Sequence, residues 1–223
     1  MTLGELIAVT RIHLRDTLKP YQVDDALLIL FLNEAQQEAA IRGRLLRATP
    51  KNSPTLCKRF VPAGLSTVTL DDSIYELSYQ EWEQDGERWP MRLVSREWID
   101  DNFPRWRLFE PGKPTYLIQD GQELQISPPP AVQGKVLLVG YRLPIPMEYV
   151  NRDEPDIPKV HHLRLVQWAL HRSLASPGSE IYDEQKAAIA DAEFTRYFGL
   201  QPDSDMRRAT RQDVVHHNVS IFP

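Results

Sequence analysis

Paired acidic residues are the side chains in this sequence with the clearest potential for catalysis, because two carboxylates can divide the general acid and general base roles of a hydrolase. The pairs are Asp71 and Asp72, Asp100 and Asp101, and Asp203 and Asp205. Each pair falls at a predicted turn, a helix end or the C-terminal segment, where acidic residues are common for local structural reasons. We therefore interpret them as structural, with a hydrolase as an alternative.

Histidine and cysteine give no stronger indication of a catalytic or metal site. His161 and His162 are adjacent, as are His216 and His217, and adjacent residues on a helix point about 100° apart, so neither pair can face one metal ion. Cys57 has no activating base near it in the sequence, which favours a buried thiol. Glycine-rich phosphate loops, Gly-x-Ser-x-Gly motifs and paired cysteines are absent from the sequence, so we expect no enzyme, metal or cofactor.

Length and composition restrict the class of protein. A chain of 223 residues buries roughly 70% of its unfolded surface, which is enough for one large domain or two small ones. The single cysteine and the absence of a signal-peptide pattern predict a reducing compartment, and no apolar run approaches the ~18 residues of a membrane span. A net charge of -5 argues against a dedicated nucleic-acid-binding protein, which is usually basic.

The longest helix is predicted between Asp24, whose carboxylate suits an N-cap, and Gly43, which suits a left-handed C-terminal stop. Residues 26–32 are apolar without a break. We therefore expect this half of the helix to be covered on most sides, and the uncovered stripe requires partner helices.

Three further helices are predicted as those partners. The first begins with the capping box of Thr2 and Glu5 and runs through Leu18 to Pro20. The other two follow Pro155 and are predicted from helical spacing. One starts near Pro158, and its apolar face consists of Val160, Leu163, Val166, Leu170 and Leu174. The other runs from Ser179 to Gly199, and its apolar face consists of Ala187, Ala190, Phe194, Tyr197 and Phe198. Residues 1–49 and 153–200 are thus predicted to form a four-helix bundle.

Residues 50–152 have the two-residue period of strands. Turns at Asp85-Gly86 and Asp120-Gly121 predict two hairpins, and the first joins a strand with Tyr75, Leu77 and Tyr79 to one with Trp89, Met91 and Leu93. Ser95 should cap a short helix, and 136–139 should be a central strand covered on both faces. The prediction is an α+β fold in which an antiparallel β-sandwich or open barrel is inserted into the helical bundle.

Residues 201–223 have no helical or strand period and are predicted to form an extended C-terminal arm. Its basic and apolar residues are Arg207, Arg208, Arg211, Val214, Val215, Val219, Ile221 and Phe222. Apolar side chains at the end of an arm favour contact with a partner surface. We therefore predict that these eight residues dock on a partner, with a frayed terminus as the alternative.

The helical segments resemble a known family. Leu32-Asn33-Glu34-Ala35-Gln36, Val166-Gln167-Trp168-Ala169-Leu170 and Ala190-Asp191-Ala192-Glu193-Phe194, in this order around the inserted strands, resemble head-to-tail adaptor (connector) proteins of tailed bacteriophages. The resemblance covers most of residues 1–198. It implies a structural virion protein that forms a homo-oligomeric ring, usually of twelve subunits, beneath the portal of the capsid.

The resemblance also implies the partners. These are the portal protein, tail proteins of the tube or nozzle, and neighbouring copies, while genomic DNA passes through the ring without sequence-specific binding and no membrane is involved. The implied location is the head-tail junction of the virion, after synthesis in the host cytoplasm. In short-tailed phages a C-terminal extension docks on the portal, and the arm stands where that extension would.

Two other classes are kept as alternatives. A phage-associated carbohydrate- or receptor-binding module would require exposed aromatic faces on the β region, whereas alternate placement along strands favours core and cross-strand packing of those aromatic residues. A hydrolase would require a carboxylate pair to converge in a pocket with shifted pKa values.

Overall fold

The computed structural model of the protein describes residues 1–176 and 180–201. The described chain is α+β, as predicted, and its helices are α1 (Leu3–Leu14), α2 (Asp25–Gly43), α3 (Pro54–Cys57), α4 (Arg96–Asn102), α5 (Leu165–Leu174) and α6 (Glu184–Phe198). A helical unit comprises residues 1–47 and 141–201, and the described part of a second, strand-rich unit comprises residues 48–140. Within the described residues, no helix has the length and apolar character required to cross a membrane.

The core of the helical unit is built around α5, which packs against α1, α2 and α6. Side chains from all four helices share this core, and its largest contributors are Leu3, Leu6, Leu28, Phe31, Leu32, Leu165, Val166 and Phe194. The helices are therefore held mainly by burial of their apolar faces against one another.

Helix α1 begins with the predicted capping box: the Glu5 amide donates to Thr2 Oγ1, and Glu5 accepts from the Thr2 amide. The prediction that it continues through Leu18 is wrong, because the helix ends at Leu14 and Arg15 is left-handed with a φ of 60°. Buried Arg11 instead donates to Asp16 Oδ2 (2.7 Å) and to the Val23 carbonyl (2.9 Å). These bonds turn the chain back toward α2.

Helix α2 differs from its prediction at both ends and on one face. Asp24 is the N-cap, but its side chain makes no capping hydrogen bond, and the left-handed residue at the C-terminus is Arg44 rather than Gly43. The expectation that 26–32 is covered on most sides is also wrong. Leu27 and Leu30 are 45% and 51% exposed, because α1 and α5 cover only the side that carries the buried residues Leu28, Phe31 and Leu32.

The C-terminal helices are shorter than predicted. Val160 and Leu163 do not belong to the buried stripe, because they lie in a 3-10 helix (Lys159–Arg164) before α5 and are exposed. Helix α6 begins at Glu184 with Asp183 as its cap, not at Ser179, which lies outside the described residues. Gly199 ends it, as predicted, with a φ of 93°.

The strand-rich unit contains two sheets. Their strands are β1 (Arg47–Ala48), β2 (Lys58–Val61), β3 (Thr67–Thr69), β4 (Ile74–Gln84), β5 (Glu87–Pro90), β6 (Arg92–Val94), β7 (Tyr116–Asp120), β8 (Glu123–Ser127) and β9 (Gly134–Arg142). One sheet has the order β1-β9-β4-β5, with β2 also paired to β9, and the other has the order β3-β8-β7-β6. Both predicted hairpins are confirmed, and β9 is the predicted central strand.

The predicted strand through Trp89, Met91 and Leu93 is wrong, because it breaks at Met91 into two strands that belong to different sheets. Strand β5 pairs with β4, whereas β6 pairs in parallel with β7, so the second sheet is mixed rather than antiparallel. The parallel pairing is possible because β6 and β7 are joined by a connection of about twenty residues that contains α4. This connection is long enough to return β7 alongside β6 in the same direction. Ser95 caps α4 as predicted, accepting from the Trp98 amide.

Candidate partner-binding surface

The predicted docking arm lies almost entirely outside the described residues. Arg207, Arg208, Arg211, Val214, Val215, Val219, Ile221 and Phe222 are all in the part of the chain that the structure does not describe. The described part of the chain ends at Gln201, whose side-chain amide donates to Glu38 Oε1 at 3.5 Å.

A return segment, residues 143–157, leads from β9 to the 3-10 helix and is held on α2 by two polar side chains. Asn33 accepts from the Met147 amide (2.8 Å) and donates to the Met147 carbonyl (2.9 Å). Gln36 donates to the Ile145 carbonyl (3.0 Å) and accepts from the Asp156 amide (3.2 Å). A segment without regular structure thus has four of its backbone groups bonded by side chains of α2.

The far end of the return segment is held by an ion pair. Arg142 donates to both carboxylate oxygens of Asp156, and the Ile145 amide donates to the same carboxylate. Burial alone would raise the pKa of Asp156, but the bonds from Arg142 and Ile145 outweigh it and hold the pKa below its ordinary value. The carboxylate is therefore charged at neutral pH.

Sequence reasoning did not identify this role of Asn33 and Gln36, although both stand in a segment that resembles the adaptor family. Gln36 is only 1% exposed, and a buried amide requires hydrogen-bond partners. Two amide side chains three residues apart on an otherwise apolar helix face are the signal that could have indicated a backbone segment packed there.

Exposed apolar side chains lie at the C-terminal end of α6 and in the 3-10 helix that contacts it. We define the α6-end patch as Val160, Leu163, Tyr197 and Leu200, all of which are exposed. Residues three apart in a 3-10 helix lie directly above one another, so Val160 and Leu163 share one face. His161 joins this helix to α6, because its ring contacts Tyr197 and Phe198 and its Nδ1 lies 3.2 Å from the Tyr197 hydroxyl.

The two described histidines of the predicted pairs have structural contacts. His162 is buried, with Nδ1 accepting from the Met1 amine (3.0 Å) and Nε2 donating to the Ile157 carbonyl (2.9 Å), so neither ring nitrogen is available to a metal. Burial, followed by the proximity of His162, lowers the pKa of His161 and favours its neutral form. His216 and His217 lie outside the described residues.

In each of the two described acidic pairs, the first carboxylate has structural contacts. Asp71 and Asp72 line a shallow cavity of about 470 Å³, but Asp71 accepts from the hydroxyl and amide of Ser73 and pairs with Arg59, and these contacts lower its pKa. Asp100 accepts from Arg107 and the Trp106 indole, with the same effect on its pKa. A general acid requires a raised pKa instead. Asp203 and Asp205 lie outside the described residues.

The remaining candidates are also accounted for by packing. Cys57 is buried, and this burial raises the pKa of its thiol, which disfavours the nucleophilic thiolate. Within the described ranges, no three His, Cys, Asp or Glu side chains are grouped as metal ligands would be. The described residues therefore contain no grouped metal ligands and no activated thiol.

A sugar-binding platform of tryptophans is not present on the described strand-rich unit. Trp82 and Trp106 are buried, and the partly exposed Trp89 and Trp98 carry Lys113 and Arg92 over their ring faces at 4.5 Å. Trp82 and Trp89 face each other as a cross-strand pair. These tryptophans therefore serve packing, which disfavours the carbohydrate-binding alternative, although Phe60 and Tyr79 of the same unit are 59% and 44% exposed.

Comparison with known families gives one match. The family model described as SU10 adaptor protein matches residues 1–216, which includes the described parts of both units and extends into the C-terminal arm. A search of curated proteins finds no match.

Proposed function

Because the chain belongs to the SU10 adaptor protein family, we propose that it forms a ring beneath the portal of a bacteriophage capsid and joins the capsid to the tail. A structural adaptor role follows from the family. The ring, its twelve copies and its position against the portal and tail proteins are our proposal. The observation that carries this proposal is the family match over residues 1–216.

The helical unit supports the ring proposal because it is suited to be the rigid part of each subunit. Its four principal helices share one core, and we propose that they form the four-helix bundle expected from the sequence. We propose that the strand-rich unit, described at residues 48–140, contacts the portal, the tail or both, while the helical unit of residues 1–47 and 141–201 forms the wall of the ring. Such rings close when one face of each subunit binds a different face of the next.

The charges of the described surface are compatible with passage of DNA. A channel rich in free lysine and arginine would bind the phosphates and release counterions. Here many basic side chains are paired with carboxylates, among them Arg42 with Glu38, Arg88 with Glu83, and Arg96 with Asp120. Together with the net charge of -5, this pairing favours weak, sequence-independent contact with the genome.

We further propose that the C-terminal arm docks on the portal and that the α6-end patch lies beside the docked arm. Tyr197 and Leu200 of the patch lie directly before the arm in the chain, so a partner that binds the arm could also cover them. The lowered pKa of His161 favours its neutral form, and the charge that remains at the patch is the guanidinium of Arg164, which lies 5.0 Å from the centre of the Tyr197 ring.

Deletion of residues 201–223 tests the docking proposal. The truncated protein should lose binding to the portal of the same phage in cosedimentation, while its circular dichroism and urea unfolding match the full chain. Two matched variants separate the contributions: Val219→Asp with Ile221→Asp and Phe222→Asp removes the apolar contact, and Arg207→Ala with Arg208→Ala and Arg211→Ala removes the charge. Portal binding that survives the deletion would contradict docking through the arm.

A further inference from the structure

Two helices of the helical unit present apolar side chains that remain exposed in the single copy. We define the α2 strip as Ala26, Leu27 and Leu30, which are all exposed and lie on one side of the helix. We define the α6 strip as Ala188, Ile189 and Ala192, which are also exposed, Ile189 by 56%. Both strips consist of small and aliphatic side chains, which allow close helix-helix approach.

The two strips lie on different sides of the unit. Helices α2 and α6 each pack along α5, and near their C-terminal ends Arg42 on α2 donates to Thr195 Oγ1 on α6 (3.1 Å). Each helix turns its buried face toward this shared core, so the strips face outward from different flanks. A subunit with two different apolar faces can bind one neighbour through each face, which is the heterologous contact that generates a ring.

The basic residues beside the strips are already paired within the chain. The ion pairs are Asp25 with Arg11 (2.5 Å) and Glu34 with Arg172 (2.9 Å) at α2, and Lys186 with Asp183 (2.7 Å) and Arg196 with Glu193 (2.7 Å) at α6. Neither strip therefore offers unpaired basic groups to phosphate. An apolar centre with a polar, charge-compensated rim is the anatomy of a protein interface, and the chain itself supplies the second apolar strip.

We propose that the α2 strip of one copy packs against the α6 strip of the next copy. This inference rests on the ring proposed above and assigns its subunit contact. Burial of Leu27 and Leu30 in that contact also accounts for the unbroken apolar run at 26–32, three of whose seven residues a single copy leaves exposed.

A charge exchange in the full-length protein tests the contact. Leu30→Glu and Ile189→Lys should each reduce the ring fraction at least tenfold, measured by light scattering and negative-stain imaging, because each places a charge against an apolar strip. Rings should return when both substitutions are in one chain, since the carboxylate and the ammonium then face each other at every contact. An equimolar mixture of the two single variants should also assemble.

Ile12→Glu is the matched control, because Ile12 is 65% exposed on α1 of the same unit and belongs neither to the two strips nor to the α6-end patch. This variant should form rings as the wild type does. Circular dichroism and urea unfolding of every variant distinguish lost assembly from lost folding, and the exposure of Leu30 and Ile189 predicts little change in either.

The outcomes separate this inference from the proposed function. Wild-type rings together with intact rings in both single variants would overturn the assigned contact and leave the ring standing. Failure of both the double variant and the mixture to assemble would overturn it as well, because the strips would then not face each other. A wild-type protein that forms no ring, alone or with the portal, would refute the proposed function itself.

Discussion

Replacing Gln36 by methionine should release the return segment (residues 143–157) from α2 and destabilise the helical unit by about 3 kcal/mol. Gln36 makes three hydrogen bonds, to Asn33 Oδ1 (2.9 Å), the Ile145 carbonyl (3.0 Å) and the Asp156 amide (3.2 Å). Each such bond contributes a net ~1 kcal/mol. Methionine has a similar volume, so the loss arises from unpaired polar groups rather than from a cavity.

The assay compares urea unfolding of Gln36→Met with that of Gln37→Met, which changes the same residue type at the adjacent, exposed position. The control should stay within about 0.5 kcal/mol of the wild type. Hydrogen exchange should become faster at the Asp156 amide in Gln36→Met alone. Equal stability of the two variants, or unchanged exchange at Asp156, would refute the role assigned to Gln36.

Three further changes test other parts of the fold. Arg11→Met should cost about 3 kcal/mol in urea unfolding, because it leaves Asp16 buried without its cation, whereas Arg15→Met at the neighbouring exposed site should cost little. Gly140→Ala should cost about 1–3 kcal/mol in thermal unfolding, since a Cβ there would overlap the Glu76 carbonyl oxygen; Gly112→Ala, with no contact closer than 3.6 Å, is its control. The bonds of Asp156 hold its pKa below the ordinary value of 3.8, so the native state binds fewer protons than the unfolded state. The stability that this carboxylate contributes is therefore present above its ordinary pKa and is lost as the pH falls through its native pKa. Asp156→Asn should remove that part of the acid sensitivity, and an unchanged pH profile would contradict the argument.

Local signals predicted the elements whose ends depend on neighbouring residues. The capping box of Thr2 and Glu5, the cap at Ser95 and the hairpin turn at Asp85-Gly86 were predicted correctly. In each case the determining interaction spans a few residues: a side chain bonds an amide three positions away, or two residues adopt positive φ. The α+β class also follows from periodicity, which each segment carries on its own.

Several of the wrong predictions required knowledge of distant partners. The sequence alone does not show that Arg11 is buried with Asp16, so apolar periodicity predicts that α1 continues past Leu14 to Leu18. In the sequence, Met91 cannot be distinguished from an inward-facing residue of one continuous strand. In the structure its amide donates a hydrogen bond to the Gln80 carbonyl, at the point where the chain passes from the first sheet to the second. Such bonds depend on packing between segments far apart in the chain.

Predictions about the candidate partner surfaces also divide into those that the sequence supports and those that depend on tertiary packing. Amino-acid order was sufficient to predict an arm with apolar residues at its end. The helix segments and their order were sufficient to indicate a resemblance to phage adaptors. Both follow from composition and spacing, which are properties of the chain itself. Tertiary packing was required to show that Gln36 holds the return segment and that Leu27, Leu30 and Ile189 stay exposed. An unbroken apolar run has the same sequence whether one side or all sides are covered, and which side is covered depends on where α1 and α5 pack.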